Sequence, residues 1–375
     1  MKCQISRDEL LRALQRLQGV VERKSTMPIL AHILIEAVRD EIVLFATDLD
    51  IAIRTHLPAE VETPGGISVS AKKLYEIVRE LSDTPVLLEA RDAHRLQIRA
   101  GSATFSLVGL PKEDFPSLPS TPDEWMLTLS RAVLADMVRK TLFSVAENDP
   151  RQVLNGVLVH ASPVADTTAV SLFLVGTDGH RLAESSHACE SGGQPLNGEH
   201  KIVVPRKAMA EIRKILDDGP EEVTLGFSRN HLSFRQDGTT LTARLIEGVY
   251  PHYQQVIPAS TSVSIYCDRA LLQAAMRRVS ILAREKTNAV RMSLGPAGVT
   301  LSTDNPDLGE AEESLPIPPP SQEVIIGFNA RYILDILAAI DQDTVRLSFI
   351  DALSPCLITP SGVPGYQCVV MPMRV

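Results

Sequence analysis

The chain has few cysteines and they do not pair: Cys3, Cys189, Cys267, Cys356 and Cys368 are odd in number and show no Cys-x-x-Cys spacing. That pattern excludes a closed disulfide framework and a thiolate zinc site, so a reducing cytoplasm is the expected setting. Aromatic residues make up only 4% of the sequence, which leaves little for a base-stacking platform. No apolar run approaches the roughly 18 residues of a membrane span, and Met1 to Asp8 carries no apolar signal core, so neither insertion nor export is expected. There is no G-x-x-x-x-G-K-[ST] loop, dinucleotide fingerprint, H-E-x-x-H or G-x-S-x-G, which removes the common signatures of phosphate, cofactor, zinc and serine chemistry. No metal and no cofactor are expected.

What is present is a threefold repeat. A helix opening recurs as Ser6-Arg7, Ser130-Arg131 and Asp268-Arg269, and a Thr-Asp pair closes a strand at Thr47-Asp48, Thr177-Asp178 and Thr303-Asp304. A second helix opens at Ser70-Ala71-Lys72, Pro205-Arg206-Lys207 and Asn329-Ala330-Arg331, with Ile77, Ile212 and Ile336 at matching offsets. Steps of about 125 to 138 residues are far longer than solenoid periods, so each copy can hold its own core. The spacing predicts α+β domains over 1–121, 128–258 and 259–375, each with two helices and many short antiparallel strands.

Apolar stripes at Leu10, Leu14, Leu17 and Val21, at Leu134, Val138, Leu142 and Val145, and at Leu272, Met276, Val279 and Ala283 give the first helix of each copy a core face. Arg12, Arg16, Arg139, Lys140, Arg277 and Arg278 are then expected on free faces. Strands are expected over 41–47, 51–56, 95–99, 223–227, 231–235, 240–245 and 344–348. Pro116 to Pro122 and Pro258 to Ser262 read as linkers, and Pro316 to Pro320 as a surface loop.

Charge is sorted by element type. Helices predicted over 6–18, 70–81, 130–146, 205–216, 268–284 and 329–340 together carry +10, in a chain whose total is −9. The remaining strands and loops therefore hold −19. Such segregation fits one cationic surface facing a polyanion and another kept clean, with contacts to phosphate rather than to base edges.

Asp178-Gly179-His180 places a carboxylate and an imidazole two residues apart, and a hydrolase using Asp178 and His180 is one alternative. Asp-Gly between strands is also an ordinary turn. Asp48-Leu49-Asp50 and Glu310 to Glu313 could be drawn as metal ligands, but carboxylates on turns are usually solvated. A sequence-specific DNA-binding protein is the other alternative.

Thr177 to Ala183, Ile202 to Lys207, the Tyr250-Pro251-His252-Tyr253 turn and the terminal Val369 to Val375, with Met27-Pro28-Ile29-Leu30, Thr47-Asp48-Leu49 and Phe115-Pro116, resemble the bacterial sliding-clamp family, the beta subunits of DNA polymerase III. The match covers the whole chain in order. The resemblance implies the DNA-clamp fold and no catalytic site: a ring of two head-to-tail subunits with helices lining a hole for duplex DNA. It further implies a processivity factor that tethers DNA polymerase III through its alpha subunit. The clamp loader delta subunit, other DNA polymerases, mismatch repair proteins and DNA ligase would share the same site.

By position, the resemblance implies DNA-facing Arg12, Lys24, Lys72, Arg79, Arg206 and Lys207; charge and helical phase add Arg277 and Arg278. It places a subunit interface at Phe105 and Leu107 against Ile281 and Leu282, although Phe105 and Leu107 also fit an ordinary core strand. It maps a partner pocket to Leu154, Thr177, Gly179, His180, Arg181, Leu182, Pro251, Val256, Val369, Val370, Met371, Pro372, Met373 and Arg374. Leu, Val, Pro and Met side chains suit a shallow, adaptable apolar surface, with Arg181 and Arg374 expected on its polar rim. Gln152, Val153, Pro355 and Val375 depart from the family pattern and would alter the pocket's shape.

Overall fold

The signature arginine that follows each first helix start has a structural purpose. In the computed structural model α1 (Arg7–Leu17), α3 (Arg131–Leu142) and α5 (Arg269–Val279) open one residue after Ser6, Ser130 and Asp268. They are followed by α2 (Ala71–Glu80), α4 (Arg206–Ile215) and α6 (Ala330–Ala339). The guanidinium of Arg7 donates to the carbonyls of Val78 at 3.2 Å and Arg79 at 2.6 Å, at the end of α2. Arg131 donates to the Leu216 carbonyl at 2.7 Å, just past α4, and Arg269 to that of Gln342 at 3.0 Å, just past α6. A helix end leaves carbonyls without partners and carries partial negative charge, so a cation there both caps and stabilises it. The same arginine locks the two helices of every repeat.

Ser70, Asp268 and Asn329 accept bonds from the first-turn amides of α2, α5 and α6, which fixes where these helices begin. The described residues are 1–21, 27–91, 94–116, 123–165, 167–192, 196–296, 298–318 and 322–374. Lys24, Val375, most of the first expected linker and the end of the 316–320 loop lie outside them. Among the described residues no helix is long and apolar enough to cross a membrane.

Chain contacts define two compact units, and the middle repeat contributes to both. The first unit holds Met1–Ala135, Glu190–Leu196 and Lys207–Leu245. Here Glu60–Thr63, Lys2–Ile5, Val86–Arg91, Arg95–Ala100 and Ala103–Leu110 run antiparallel in that order. Gly65–Ser70, His32–Val38, Glu41–Thr47 and Ile51–Pro58 follow in a second antiparallel run. Ile51–Pro58 then pairs with Thr239–Arg244 of the middle repeat, Thr55 facing Thr239 and Ile51 facing Ala243.

The second unit holds Asp136–Cys189, Asn197–Arg206 and Ile246–Val375. Strand Arg181–Ser191 of the middle repeat pairs with Tyr366–Val370 of the third, Ser185 facing Tyr366 and Arg181 facing Val370. Tyr366–Val370 continues through Cys356–Pro360 and Thr344–Phe349 to Val263–Asp268. A four-stranded sheet orders Gly309–Leu315, Gly298–Asn305, Ala289–Gly295 and Val324–Asn329. A large core cluster packs Leu272, Met276 and Val279 of α5 and Ile333, Ile336 and Leu337 of α6 on these strands.

Several expectations need correction. α3 stops at Leu142 and α5 at Val279, shorter than the apolar periodicity suggested, and a 3-10 turn over Ser280–Leu282 follows α5. In the first stripe Val20, not Val21, is fully buried, because the chain leaves the helix after Leu17. Ile77 is only half-buried, and Leu74 and Val78 take its place in the core. Lys140 does not occupy a free face: it is 8% exposed, its ammonium 2.5 Å from Asp136 and over the Tyr366 ring at 5.2 Å. Arg139 is tied to Asp136, to Asp341 and to the carbonyl of Ala339 at the end of α6.

None of the five cysteines is in a disulfide, and all five are buried. Burial pushes the Cys3 thiol up to about 11 and those of Cys267 and Cys368 to about 12, so they are protonated and poor nucleophiles at neutral pH.

Replacing Arg7 with Met keeps most of the packing but removes both carbonyl bonds. The expected cost is about 1.5–3 kcal/mol, the range for bonds to a charged donor, read from the urea midpoint at unchanged slope.

Candidate functional site

The Thr-Asp signature builds a turn, and the turn builds one wall of the candidate site. Thr177 donates its hydroxyl to the Arg181 carbonyl at 2.6 Å and accepts from the Gly179 amide at 3.1 Å. One Asp178 carboxylate oxygen accepts from the amides of His180 and Arg181 at 2.9 and 3.0 Å. Gly179 sits at φ +88°, where glycine is unstrained. Thr47 and Asp48 repeat the same bonds to Leu49, Asp50 and Ile51, with Leu49 at φ +80° in place of glycine. The third copy differs: Thr303 donates to the Ala289 carbonyl, and Asn305 rather than Asp304 accepts the turn amide, from Asp307.

This bonding disposes of the acid-base reading. Asp178 is committed to two amides and, through its second oxygen, to Arg181 Nε at 3.1 Å. The His180 ring stacks on Tyr332 at 6.4 Å. Among the described residues no group of three His, Cys, Asp or Glu could hold a metal ion.

Arg181 is a scaffold residue, not the rim anchor expected from sequence. Its side chain is 10% exposed, paired with Asp178 and, at 2.6 Å, with Asp335 of α6. It also donates to the Phe143 carbonyl at 2.7 Å and lies over the rings of Tyr332 at 4.6 Å and Phe143 at 5.4 Å. A planar fork that satisfies two carboxylates and a carbonyl while stacking on two faces is a task for arginine and not lysine.

Around this turn the fold gathers a separate apolar cluster. Leu154, Leu182 and Val369 join Leu158, Val175, Val203, Tyr250 and Tyr253, with Val256 and Val153 packed against them half-buried. Leu154, Leu182, Val369 and Val370 are 0–3% exposed, so they form the floor, while Met371 and Pro372 are half-buried and Gly179, His180 and Pro251 are exposed. The His180 carbonyl accepts from the Met371 amide at 2.9 Å, which ties the C-terminal segment to the turn. Met373 and Arg374 lie elsewhere, lining a groove with Arg284, Thr287 and Arg291, and Met373 bridges to Gly327. Tyr250 and Tyr253 were missed as site residues, although their aromatic-proline turn was the visible signal. Burial raises both phenols well above the usual tyrosine range, so they remain neutral.

The observed helices keep the net +10, but most cations on them already have partners. Lys72 reaches Glu76 at 3.8 Å, Arg79 Glu80 at 2.9 Å, Arg206 Glu147 at 2.8 Å and Lys207 Asp48 at 2.5 Å. Arg278 makes a two-pronged pair with Glu313 at 2.9 and 2.5 Å. Arg12 and Arg277 are exposed and form no ion pair among the described residues.

Ala103–Leu110 and Gly309–Leu315 are two of the strands whose outer edges are largely open among the described residues. Ala103–Leu110 bonds along one side to Arg95–Ala100, but on its other side only Gly109 and Leu110 meet Gly65–Ser70. Gly309–Leu315 bonds only to Gly298–Asn305. Phe105 and Ile281 are 38% and 75% exposed, Leu107 and Leu282 half-buried. These are not the fully buried side chains of a core strand.

Repeated α+β domains with basic helices, a non-catalytic turn and one apolar surface cluster define a clamp-class scaffold. The family descriptions agree: the N-terminal, central and C-terminal domains of the DNA polymerase III beta subunit match residues 1–119, 128–252 and 254–374. The chain is 36% identical to the beta sliding clamp of Caulobacter vibrioides and 32% to that of Escherichia coli K12, with full coverage of both chains in each case. It superposes on the crystal structure of the DNA polymerase III beta subunit from Pseudomonas aeruginosa with TM-score 0.93 and 31% identity, again over all of both chains. The chain belongs to the DNA polymerase III beta-subunit family. Its function is that of a sliding clamp, the processivity factor of DNA polymerase III, a subunit without catalysis of its own.

Arg181→Ala would leave the Asp178 and Asp335 carboxylates unpaired. An expected loss of about 3 kcal/mol, the low end for breaking a buried pair because Asp335 is partly exposed, should appear in chemical denaturation. Arg181→Lys should recover less than half of it.

Proposed function

We propose that two copies of this chain close head to tail into a ring around duplex DNA and present the apolar cluster to peptide segments of replication and repair proteins. One observation carries the ring. Three similar repeats would make three strand joints; two are filled within the chain, and the strands at the equivalent positions of the third, Ala103–Val108 and Gly309–Leu315, are open on their outer sides among the described residues. An unpaired edge invites another chain, and a heterologous contact that closes after two copies leaves no edge free. The acidic Gly309–Leu315 strand and the apolar Phe105, Leu107, Ile281 and Leu282 would make that joint.

The ring reading assigns three clamp domains, 1–121, 128–258 and 259–375. It assigns DNA contacts to Arg12, Lys24, Lys72, Arg79, Arg206, Lys207, Arg277 and Arg278. Exposed ion pairs are each worth about 0–1 kcal/mol, so a phosphate can replace Glu76, Asp48, Glu147 or Glu313 at little cost. Such exchange supports weak, averaged contact, and sliding requires no more. The pocket would hold Leu154, Thr177, Gly179, His180, Leu182, Pro251, Val256 and Val369 to Pro372, with Tyr250 and Tyr253 beneath. The alpha subunit of the polymerase, the delta subunit of a clamp loader, other polymerases, mismatch repair proteins and ligase are the expected users, in the cytoplasm at the nucleoid.

The register of the filled joints, allowing for the longer third turn, places Ser314 opposite Ala103 in the open one. A chain carrying Ala103→Cys and Ser314→Cys should oxidise to a covalent dimer, the native thiols being buried. A purely monomeric product under oxidation at concentrations that give wild-type dimers would sink this register. Ile281→Ala with Leu282→Ala should yield monomers, each truncation removing roughly 2–5 kcal/mol from a packed interface; a dimer that persists at low concentration defeats the assignment.

The pocket is tested by anisotropy of a labelled peptide of Gln-Leu-x-Leu-Phe type. Saturable binding to the wild type, lost in a folded chain lacking Met371 to Val375, is expected. Absence of binding to the wild type overturns the pocket.

A further inference from the structure

The apolar cluster under the Pro251–Val256 wall contains one polar intrusion. His160, on the strand Gly156–Pro163, is 5% exposed and stacks on Phe173 at 5.2 Å. Its Nδ1 lies 3.3 Å from the Tyr253 hydroxyl and its Nε2 2.5 Å from a Glu199 carboxylate oxygen. Tyr253 is itself 4% exposed and packs with Leu154, Leu182 and Val369, and it starts the 3-10 turn Tyr253–Val256 that carries Val256.

A buried imidazole among apolar side chains is costly unless both nitrogens find partners. A carboxylate can only accept, so Nε2 carries a proton toward Glu199, and Nδ1 shares the second bond with the Tyr253 hydroxyl. Burial raises the Tyr253 phenol, and the Glu184 carboxylate, near its hydroxyl and bonded to it, raises it further, so the phenol stays protonated. Lys201, 3.0 Å from Glu199, and His160 hold the Glu199 carboxyl below its usual range and therefore ionised. Glu184 also accepts from the Gln367 amide at 2.8 Å. The chain Glu199, His160, Tyr253 thus runs from the surface to the base of the pocket wall.

We propose that His160 is a positioning residue for partner binding: held by Glu199 at Nε2, it fixes Tyr253 through Nδ1 and, through Tyr253, the Pro251–Val256 wall against which an apolar peptide packs. This rests on the pocket reading above. Asn at position 160 can place an amide near the Nδ1 position, whereas Gln reaches toward Nε2, so the two replacements separate the two bonds.

With the labelled Gln-Leu-x-Leu-Phe peptide and the full-length protein, His160→Gln and Tyr253→Phe should each weaken binding about fivefold, the ratio given by one lost neutral hydrogen bond. The double variant should be no weaker than either single one, and His160→Asn should stay within about twofold of wild type on the same scale. Glu199→Ala, at an exposed position that does not threaten folding, should weaken binding by freeing the His160 ring at Nε2. Tyr253→Phe and His160→Gln both within twofold of wild type, or a double variant whose loss is the product of the single losses, would overturn the positioning role while leaving the pocket in place. If the wild-type chain itself fails to bind the peptide, the pocket reading fails and this inference falls with it.

Discussion

A β-strand edge with free amides and carbonyls must be covered, and most of this architecture follows from how the chain covers its edges. Within each unit a strand that follows a Thr-Asp turn pairs with the last strand of the next repeat, at Ile51–Pro58 with Thr239–Arg244 and at Arg181–Ser191 with Tyr366–Val370. The turn is rigid because its Thr and Asp side chains satisfy the local amides, so the departing strand leaves at a fixed angle. Only the third repeat lacks a partner for that strand. Its turn is also bonded differently, through Asn305. The departure from the repeat falls beside the strand whose outer edge is open, Gly309–Leu315.

The electrostatics answer to the same need for reversibility. A helix face of unpaired arginines would grip a phosphate backbone, and grip opposes sliding. Here Lys207 is held by Asp48 and Arg278 by Glu313, while Arg12 and Arg277 form no ion pair among the described residues; on the ring reading the held cations would exchange one anion for another. Where a cation must instead hold structure, the chain removes it from solvent: Arg181 is enclosed by Asp178, Asp335 and two rings, and Lys140 by Asp136 and Tyr366. Burial rather than residue type separates the two duties.

That distinction explains what could be read from the sequence. Helix starts were legible because Ser70, Asp268 and Asn329 act within a few residues of where they stand. Strands such as Glu41–Thr47 were legible through alternation and the Thr that ends them. Lys140 and Arg181 were misread because their partners are remote in the chain, Tyr366 and Asp335, and nothing near them in sequence marks burial. The apolar pocket was visible as motifs, but Tyr253 showed its place only once the 3-10 turn put it beside Leu154 and Val369. The open edge at Phe105 and Leu107 was reached only through the family resemblance, since an edge is defined by the strand that fails to arrive.

The first repeat contains the same elements as the pocket. Its 3-10 helix Pro28–Ala31 corresponds to Gln152–Asn155, each leading into a strand, and Ile29, Leu30, Leu34, Phe45, Ala52 and Phe115 form the matching cluster. There the Phe45 and Phe115 rings meet edge to face at 5.5 Å, and Arg54 lies over Phe45 at 5.3 Å. Among the described residues Leu110 is the one partly buried apolar neighbour, against six around the cluster of Leu154 and Tyr253. The two clusters differ in their aromatic residues: Phe45 and Phe115 in the first repeat, Tyr250 and Tyr253 with partly buried Phe173 in the other. The polar chain from Glu199 to Tyr253 runs beside the larger of these two clusters, where it adds directional bonds to the apolar packing.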